Sequence, residues 1–591
     1  MRFQPFLLLA VLFGISAAYT TLIHAPAVLS STSTGTLTEI TLNLTAGTGV
    51  VSISGPSSVG YSTIASAKQA VATACSYLGV NQSQYNFSFV IHDRNVSVSG
   101  PSAGTAFTLL TIAALEHRQL LSNFTVSGII EPNGTIGLIG GVYDKAEAAS
   151  QGHMRFFLLP NATAGGTIEQ LLYYISQSLF SIAIQQVSNI SQALTFAFGI
   201  EPATPMQYNI TQHFELSKLS TMNLSCTSCN TSAFDELVNF TLNFTSSEIS
   251  SVPSVFNQAK AQMLANQQRY EEIASKGYAY TAADFAFLQY LQAFTLANKA
   301  NYTATGASSV LSNVATYCSS LVPPLLTNAN YEYVIGGELR QDFANETLEQ
   351  AEALLSSPEV TSDSYIEALY YGAEALAWCK AAQELYNISA SLPGNYVSLA
   401  PVLKQEAASA IAKAEPYGAN LYLDTAVKSF DAGNYAEALY AAAYASALAN
   451  PLAGSNMTSA QLVNATLANI DASLSGIWPY EFAGQALFYL NEYRLGQSND
   501  LKTAYTTSLL AKSIEQANIE IAKAFIISNF SQTSPMLLQQ VSELSNEISM
   551  MFYLMLIMVI LLACVLIVLL AQLVRSTEKD NSGKNKRVRQ R

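Results

Sequence analysis

Charge is scarce in this chain. Only 12% of its 591 residues are Asp, Glu, Lys or Arg, and the formal net charge is −14. No basic field exists outside the extreme C-terminus to attract a polyanion, which argues against nucleic acid as a partner. Cysteine is also scarce, at six residues. Cys226 and Cys229 form a C-x-x-C with no second such pair and no histidine nearby, so a zinc site is disfavoured and a disulfide is expected. Cys75 sits in an apolar helical pattern where a buried thiol is the default, and the spacing leaves open whether Cys318 pairs with Cys379. Histidine is scarcest, with His24, His92, His117, His153 and His213 the five candidates for an imidazole base. No G-x-x-x-x-G-K-[ST] occurs, so the signature of an ATP-driven module is missing. No metal or cofactor is expected.

What the chain has in quantity is apolar residues, at 50%, concentrated first at its two ends. Residues 1–19 place Arg2 before an apolar run ending in small residues, with Ser16 and Ala18 at the spacing signal peptidases accept, and read as a signal peptide. Residues 549–573 read as one transmembrane helix, since Met550 to Ala571 carries no charge and a helix of that length matches a hydrocarbon core of about 30 Å. The tail 574–591 has seven Lys or Arg against two acids and is expected in the cytoplasm by the positive-inside rule. The remainder is then expected outside the cell membrane. Nineteen of the thirty-six asparagines, among them Asn43, Asn95, Asn123, Asn239 and Asn345, stand in N-x-[ST], which fits a glycosylated exterior.

Between the ends the text changes character once. Residues from about 36 to 200 interleave strand and helix patterns: "LTEITLNLTAG", "GVVSISG" and "YNFSFVIHD" alternate, whereas "SSVGYSTIASAKQAVATACSYLGV" has helical spacing. Residues 20–200 are taken as one mixed unit and 201–250, rich in Ser, Thr, Asn and sequons, as a connecting segment. Residues 251–548 are Ala-, Leu- and Tyr-rich at helical period. There "YIEALYYGAEALAWC" from Tyr365 and "YAEALYAAAYASALA" from Tyr435 resemble each other at about twice a tetratricopeptide period of ~34 residues. Gly433, Tyr435, Ala438 and Ala445 suit such a repeat's second helix, but the first-helix positions fit badly, so an irregular helical array is expected, with tetratricopeptide-like repeats as the alternative.

The chemistry is carried by "NVSVSGPSAGTAFTLLTIAALEH", residues 95–117. A strand pattern runs into Gly100-Pro101-Ser102-Ala103-Gly104 and then a helix expected over 102–116. A serine where a strand becomes a helix is either a cap or a nucleophile. For a nucleophile, the backbone of the turn (Gly100, Pro101, Ala103) would face the oxyanion, because first-turn N–H groups are unpaired and the helix dipole favours an anion. A base is then required. His153 and His213 lie downstream, as a G-x-S-x-G hydrolase would want, but neither has a recognisable context. Lys145 follows Gly140-Gly141 in the first turn of another expected helix, among Ile136, Leu138, Ile139 and Val142. At an ordinary pKa near 10.4 fewer than roughly one lysine in a thousand is neutral at pH 7, and apolar burial can lower that value by several units.

Several of these pieces, in order, resemble the proteolytic domain of Lon proteases, which are Ser-Lys endopeptidases: "GTGVVSISGPSSVGYSTIASAKQAVATACSYLG", "GPSAGTAFTLLTIAAL", "VSGIIEPNGTIGLIGGVYDKAEAA", "FFLLP" and "VSNISQALTFAFG". The resemblance implies Ser102 as nucleophile and Lys145 as general base, with Ser127 where the family has a threonine that hydrogen-bonds the lysine. Two positions depart from the family: Ser99 replaces an acid before G-P-S-A-G, and Ile129 replaces a glutamate after the hydroxyl-Gly pair. The expected architecture is an α+β Lon-type proteolytic domain, then an all-α domain, then one C-terminal transmembrane helix. The expected function is ATP-independent cleavage of exposed or unfolded polypeptides outside the membrane, with a homo-oligomer implied by the family's rings. The alternatives are a Ser-His esterase or amidase, and an inactive surface-binding protein of the same fold.

Overall fold

The computed structural model describes residues 19–29, 34–55, 59–92, 100–164, 166–199, 214, 216–226, 229–418, 420–449, 457–470, 474–497 and 500–533, with scattered residues from 544 to 558. The expected signal peptide up to residue 18, most of the apolar stretch 549–573, the basic tail, Ser99 and His213 lie outside the described residues. Among the described residues no helix is long and apolar enough to cross a membrane.

The first half is built on a seven-stranded sheet in the order β3-β4-β2-β1-β5-β8-β9. Its strands are β1 (Tyr19–Leu29), β2 (Thr34–Ala46), β3 (Val51–Ser54), β4 (Tyr85–Ile91), β5 (Phe124–Val126), β8 (Phe156–Pro160) and β9 (Ala183–Val187). A separate two-stranded ribbon joins β6 (Ile129–Ile130) to β7 (Ile136–Gly137). The strand β1 is one that the sequence reading passed over, because it follows directly on an apolar run. It pairs antiparallel with β2 along its whole length, from Tyr19↔Leu44 to Leu29↔Thr34, and parallel with β5. Thr21, Ile23 and Ala25 alternate into the core, the period of two that a pleated strand imposes. Residue 19, placed at the end of the expected signal peptide, is therefore a sheet residue.

Helices cover both faces of the sheet. Phe156 and Leu158 of β8 point to an apolar layer shared with α1 (Tyr61–Leu78), α2 (Gly104–Leu115) and α5 (Ile190–Ala197). Phe157 and Leu159, one residue out of phase, point to a layer shared with α3 (Val142–Gln151) and Tyr173 of α4 (Gly166–Phe180). Alternating faces of one strand thus build two cores. Helix α2 is buried all round, from Gly104 to Ala114. Its threonines are tolerated because each hydroxyl finds a backbone carbonyl, Thr108 on Gly104 (2.8 Å), Thr111 on Phe107 (2.7 Å) and Thr105 on Gly128 (3.0 Å).

The second half is helical: α6 (Thr231–Ser251), α7 (Asn257–Ser275), α8 (Ala279–Ala297), α9 (Ala304–Ser319), α10 (Tyr331–Leu355), α11 (Ser362–Ala390), α12 (Ala400–Ala414), α13 (Leu421–Ala432), α14 (Tyr435–Leu448), α15 (Ser459–Ile470), α16 (Ile477–Arg494) and α17 (Asp500–Thr533). Their lengths run from 12 to 34 residues, so the array is irregular and not a succession of equal repeats. Helix α6 occupies the last twenty residues of the stretch 201–250 expected as a connecting segment and ends at Ser251. Phe234, Leu237, Val238, Thr241, Leu242 and Thr245 form its buried stripe at the 3.6-residue period, which the intervening Asn, Thr and Ser residues obscure in the sequence. Cys226 pairs with Cys229, and Cys318 of α9 with Cys379 of α11.

The halves share an apolar core. Leu171, Leu172, Tyr174 and Ile175 of α4 pack in one cluster with Phe256, Met263 of α7, Leu296 of α8, and Ile366 and Leu369 of α11. Helix α4 is therefore buried on the sheet side and on the side of the helical half.

Candidate active site

The turn at residues 100–103 is held from two sides. Gly100 has φ +116, a conformation that side chains with a Cβ rarely adopt. Its N–H donates to Ser62 Oγ (2.9 Å), while Thr63 Oγ1 donates to its carbonyl (3.2 Å) and Ser66 Oγ to that of Pro101 (3.0 Å). The first turns of α1 thus anchor the G-P-S segment, a role the sequence reading assigned to no residue there. Pro101 has no N–H and can only shape the turn. From the opposite side, Gly128 N–H (2.8 Å) and Ser127 Oγ (3.2 Å) both donate to the carbonyl of Ser102.

Ser102 does not cap the helix. Helix α2 starts at Gly104, its N-cap is Ala103 and no side chain caps it. The half-buried Ser102 hydroxyl faces Lys145, whose Nζ donates to Ser102 Oγ at 3.3 Å and to the Gly140 carbonyl at 2.8 Å.

Lys145 is brought there by α3, which begins after Gly141. That glycine has φ +68, and a Cβ on it would stand 2.5 Å from Val28 Cγ2 of β1, so the turn from β7 into α3 excludes any larger residue. Lys145 is only 4% exposed. Burial pushes its pKa down from 10.5 to about 8, against the pull of the Asp363 and Asp144 carboxylates, which act to keep the proton on. The neutral fraction at pH 7 rises accordingly from roughly one in three thousand to about one in ten.

The expected partner of the lysine was Ser127. The structure puts Ser127 on the Ser102 carbonyl instead and gives the lysine the Gly140 carbonyl. The reason is local: Ser127 directly follows β5, and its hydroxyl is directed to the carbonyl of the turn. Among the described residues no histidine is hydrogen-bonded to Ser102. His24 lies 3.9 Å from Glu39 across β1 and β2, His92 contacts Thr41, and His117 packs edge-on against Tyr19. Cys226 and Cys229 lie in the helical half beside Gly476. No metal-binding cluster of His, Cys, Asp and Glu occurs among the described residues. Ile129, the departure next to Gly128, lies in β6.

Two residues that the sequence reading missed complete the surroundings. Asp363, at the start of α11, accepts the N–H groups of Val142 (2.7 Å) and Tyr143 (2.8 Å) at the start of α3. Ser362 donates from its N–H (3.1 Å) and hydroxyl (2.6 Å) to Asp144. No local signal could have found Asp363, which lies more than two hundred residues from the helix it touches.

Residues 25–198 match the family model described as the Lon protease (S16) C-terminal proteolytic domain. A Lon protease of Neorickettsia sennetsu is 30% identical over 122 residues, 20% of this chain and 14% of that protein. A Lon protease of Ureaplasma parvum serovar 3 is 32% identical over 100 residues, 17% of this chain and 12% of that protein. The chain thus spans less than a sixth of the length of these curated relatives. The N-terminal α/β half, which contains Ser102 and Lys145, is therefore similar to the proteolytic domain of Lon proteases, a serine protease family, and the match ends where the helical half begins.

Proposed function

We propose that the chain is an ATP-independent serine endopeptidase in which Ser102 is the nucleophile and Lys145 the general base. One observation carries the reading: a lysine amine 4% exposed, with its pKa pushed down to about 8, stands 3.3 Å from a serine hydroxyl on a constrained turn. In the neutral amine the hydrogen bond reverses. The N–H groups serve Gly140 O, and the lone pair accepts the Ser102 O–H proton as the oxygen attacks a peptide carbonyl. The C–O bond forms and the carbonyl electron pair moves onto oxygen; as that pair returns, the C–N bond breaks and the Lys145 ammonium hands its proton to the departing amine. A water, deprotonated by the same amine, then attacks the acyl-enzyme, the bond to Ser102 Oγ breaks, and the lysine returns the proton to Ser102.

The oxyanion is assigned to the N–H groups of Ser102 and Ala103, because those of Gly104 and Thr105 are committed to Pro101 O and Gly128 O. ATP independence is supported by the absence of a phosphate-binding loop motif from the sequence. The charge-free stretch 549–573 and the basic tail support attachment to a membrane with the catalytic half outside it, and the sequons fit that side. Exposed or unfolded polypeptide segments are the substrate class. The purified full chain, wild type and Ser102→Ala, is incubated with a permanently unfolded protein without ATP. Fragments made by the wild type alone are expected; fragments made by both proteins, or by neither, refute the reading.

A further inference from the structure

The helical half reaches the proposed catalytic lysine through a pair of exchanged caps. Helix α3 cannot cap itself, since its N-cap residue is Gly141 and no side chain of its own serves its first N–H groups. Two of those groups are satisfied by the carboxylate of Asp363, the second residue of α11. In return Asp144, in the first turn of α3, receives both donors of Ser362, the first residue of α11. Each helix start thus carries the other's negative charge, the arrangement that the unpaired N–H groups and the dipole of an N-terminus favour. The contact is backed by packing: Ile366 and Leu369, one turn and two turns further along α11, enter the apolar cluster that holds α4. It is also buried, with Asp363 at 5% and Asp144 at 2% exposure.

Lys145 directly follows Asp144, so whatever fixes the first turn of α3 fixes the backbone that carries the amine, whose own contacts are Gly140 O and Ser102 Oγ. Both carboxylates favour the protonated lysine. The other titratable groups around Asp363 are Glu169 and Tyr173 of α4 and Glu367 of α11. Burial pushes Asp363 up to about 6, opposed by its two N–H bonds, so it is ionised over the range in which Lys145 titrates.

We propose that Asp363 is a positioning residue of the active site supplied by the helical half: it locks the first turn of α3 and, with Asp144, sets two negative charges beside the Lys145 amine. The proteolytic half is then complete only with α11 docked against it. The inference rests on reading Lys145 as the general base. Its test therefore uses two measurements on the full chain: kcat/KM for a peptide substrate against pH, and the pH dependence of Lys145 acetylation in competitive labelling read by mass spectrometry.

Asp363→Asn removes the charge and keeps most of the shape. The acid limb of kcat/KM and the labelling midpoint are expected to move together to lower pH by roughly one unit, with the plateau kcat down about tenfold from loosened positioning. Asp363→Glu keeps the charge and displaces it; kcat is expected to fall while the midpoint stays within ~0.3 pH unit of wild type. Should Asp363→Asn not accumulate as folded protein, Asp144→Asn must move the labelling midpoint in the same direction. An unmoved or raised midpoint in the folded Asn variant overturns the inference. Absence of wild-type turnover overturns the catalytic reading, and labelling still decides whether the carboxylates hold the lysine's proton.

Discussion

Replacing Lys145 by methionine should inactivate the protein and stabilise it at once. The native lysine is buried, and its pKa falls from 10.5 to about 8. Below pH 8 the folded chain must therefore hold a cation that the unfolded chain holds in water. The gap of about 2.5 pH units corresponds to ~3.4 kcal/mol at 1.36 kcal/mol per unit. The unfolded state binds more protons between pH 8 and 10.5, so wild-type stability rises with pH across that window. Methionine fills a similar volume without charge and removes this penalty, while leaving the Gly140 carbonyl without its donor, a loss of about 1 kcal/mol. A net gain of about 2 kcal/mol is expected at pH 7. The advantage over wild type should shrink by about 2 kcal/mol between pH 7 and pH 9.5. Groups that do not interact with Lys145 cancel in the difference, and Asp363, which the lysine's charge helps to keep ionised, titrates near the lower edge of this pH range.

Both tryptophans, Trp378 and Trp478, lie in the helical half, so their fluorescence does not report on α3. The free, buried Cys75 of α1 does. Urea midpoints from pulsed alkylation of Cys75, located by mass spectrometry, give the stability of the α/β half at each pH. A stability difference between the two proteins that does not change with pH, or a methionine variant that is less stable at pH 7, would refute the picture of a desolvated amine.

Ser127→Ala removes one of two donors to the Ser102 carbonyl and leaves Gly128 N–H in place. It should lower kcat by roughly 3- to 10-fold with the acid limb of the pH profile unmoved. A moved limb would return Ser127 to the lysine. Replacing Cys318 and Cys379 together by serine opens a link across 61 residues and should destabilise the helical half by about 4 kcal/mol in the chain-entropy account, measured by Trp378 fluorescence in urea. The Cys226–Cys229 link, with a separation of 3, should matter less than half as much.

The parts of the site that were legible in the sequence are those written in short spans. The G-P-S-A-G turn needs a glycine at positive φ and a proline with fixed φ, and both are visible as residue types at Gly100 and Pro101. Gly140-Gly141 before a helix is legible in the same way, and so is the alternation of β2 and β4. Helix α6 and strand β1 were illegible for opposite reasons. In α6 polar residues crowd the apolar stripe, and in β1 the strand continues an apolar run whose period is lost. The bond that Ser127 makes to the Ser102 carbonyl was not legible, because the direction of its hydroxyl depends on how the chain after β5 meets the turn.

By itself the sequence determined which side chains could do chemistry here: a serine after a constrained turn and a lysine at the head of a helix, 43 residues on. Local backbone preferences are properties of residue types, and they act over a few neighbours. Only the tertiary structure decided that the lysine would be dry, that Gly140 and not Ser127 would hold it, and that Asp363 would cap its helix from across the molecule. Burial and electrostatic fields belong to whatever the folded chain places within a few ångströms, and distance along the chain carries no information about that.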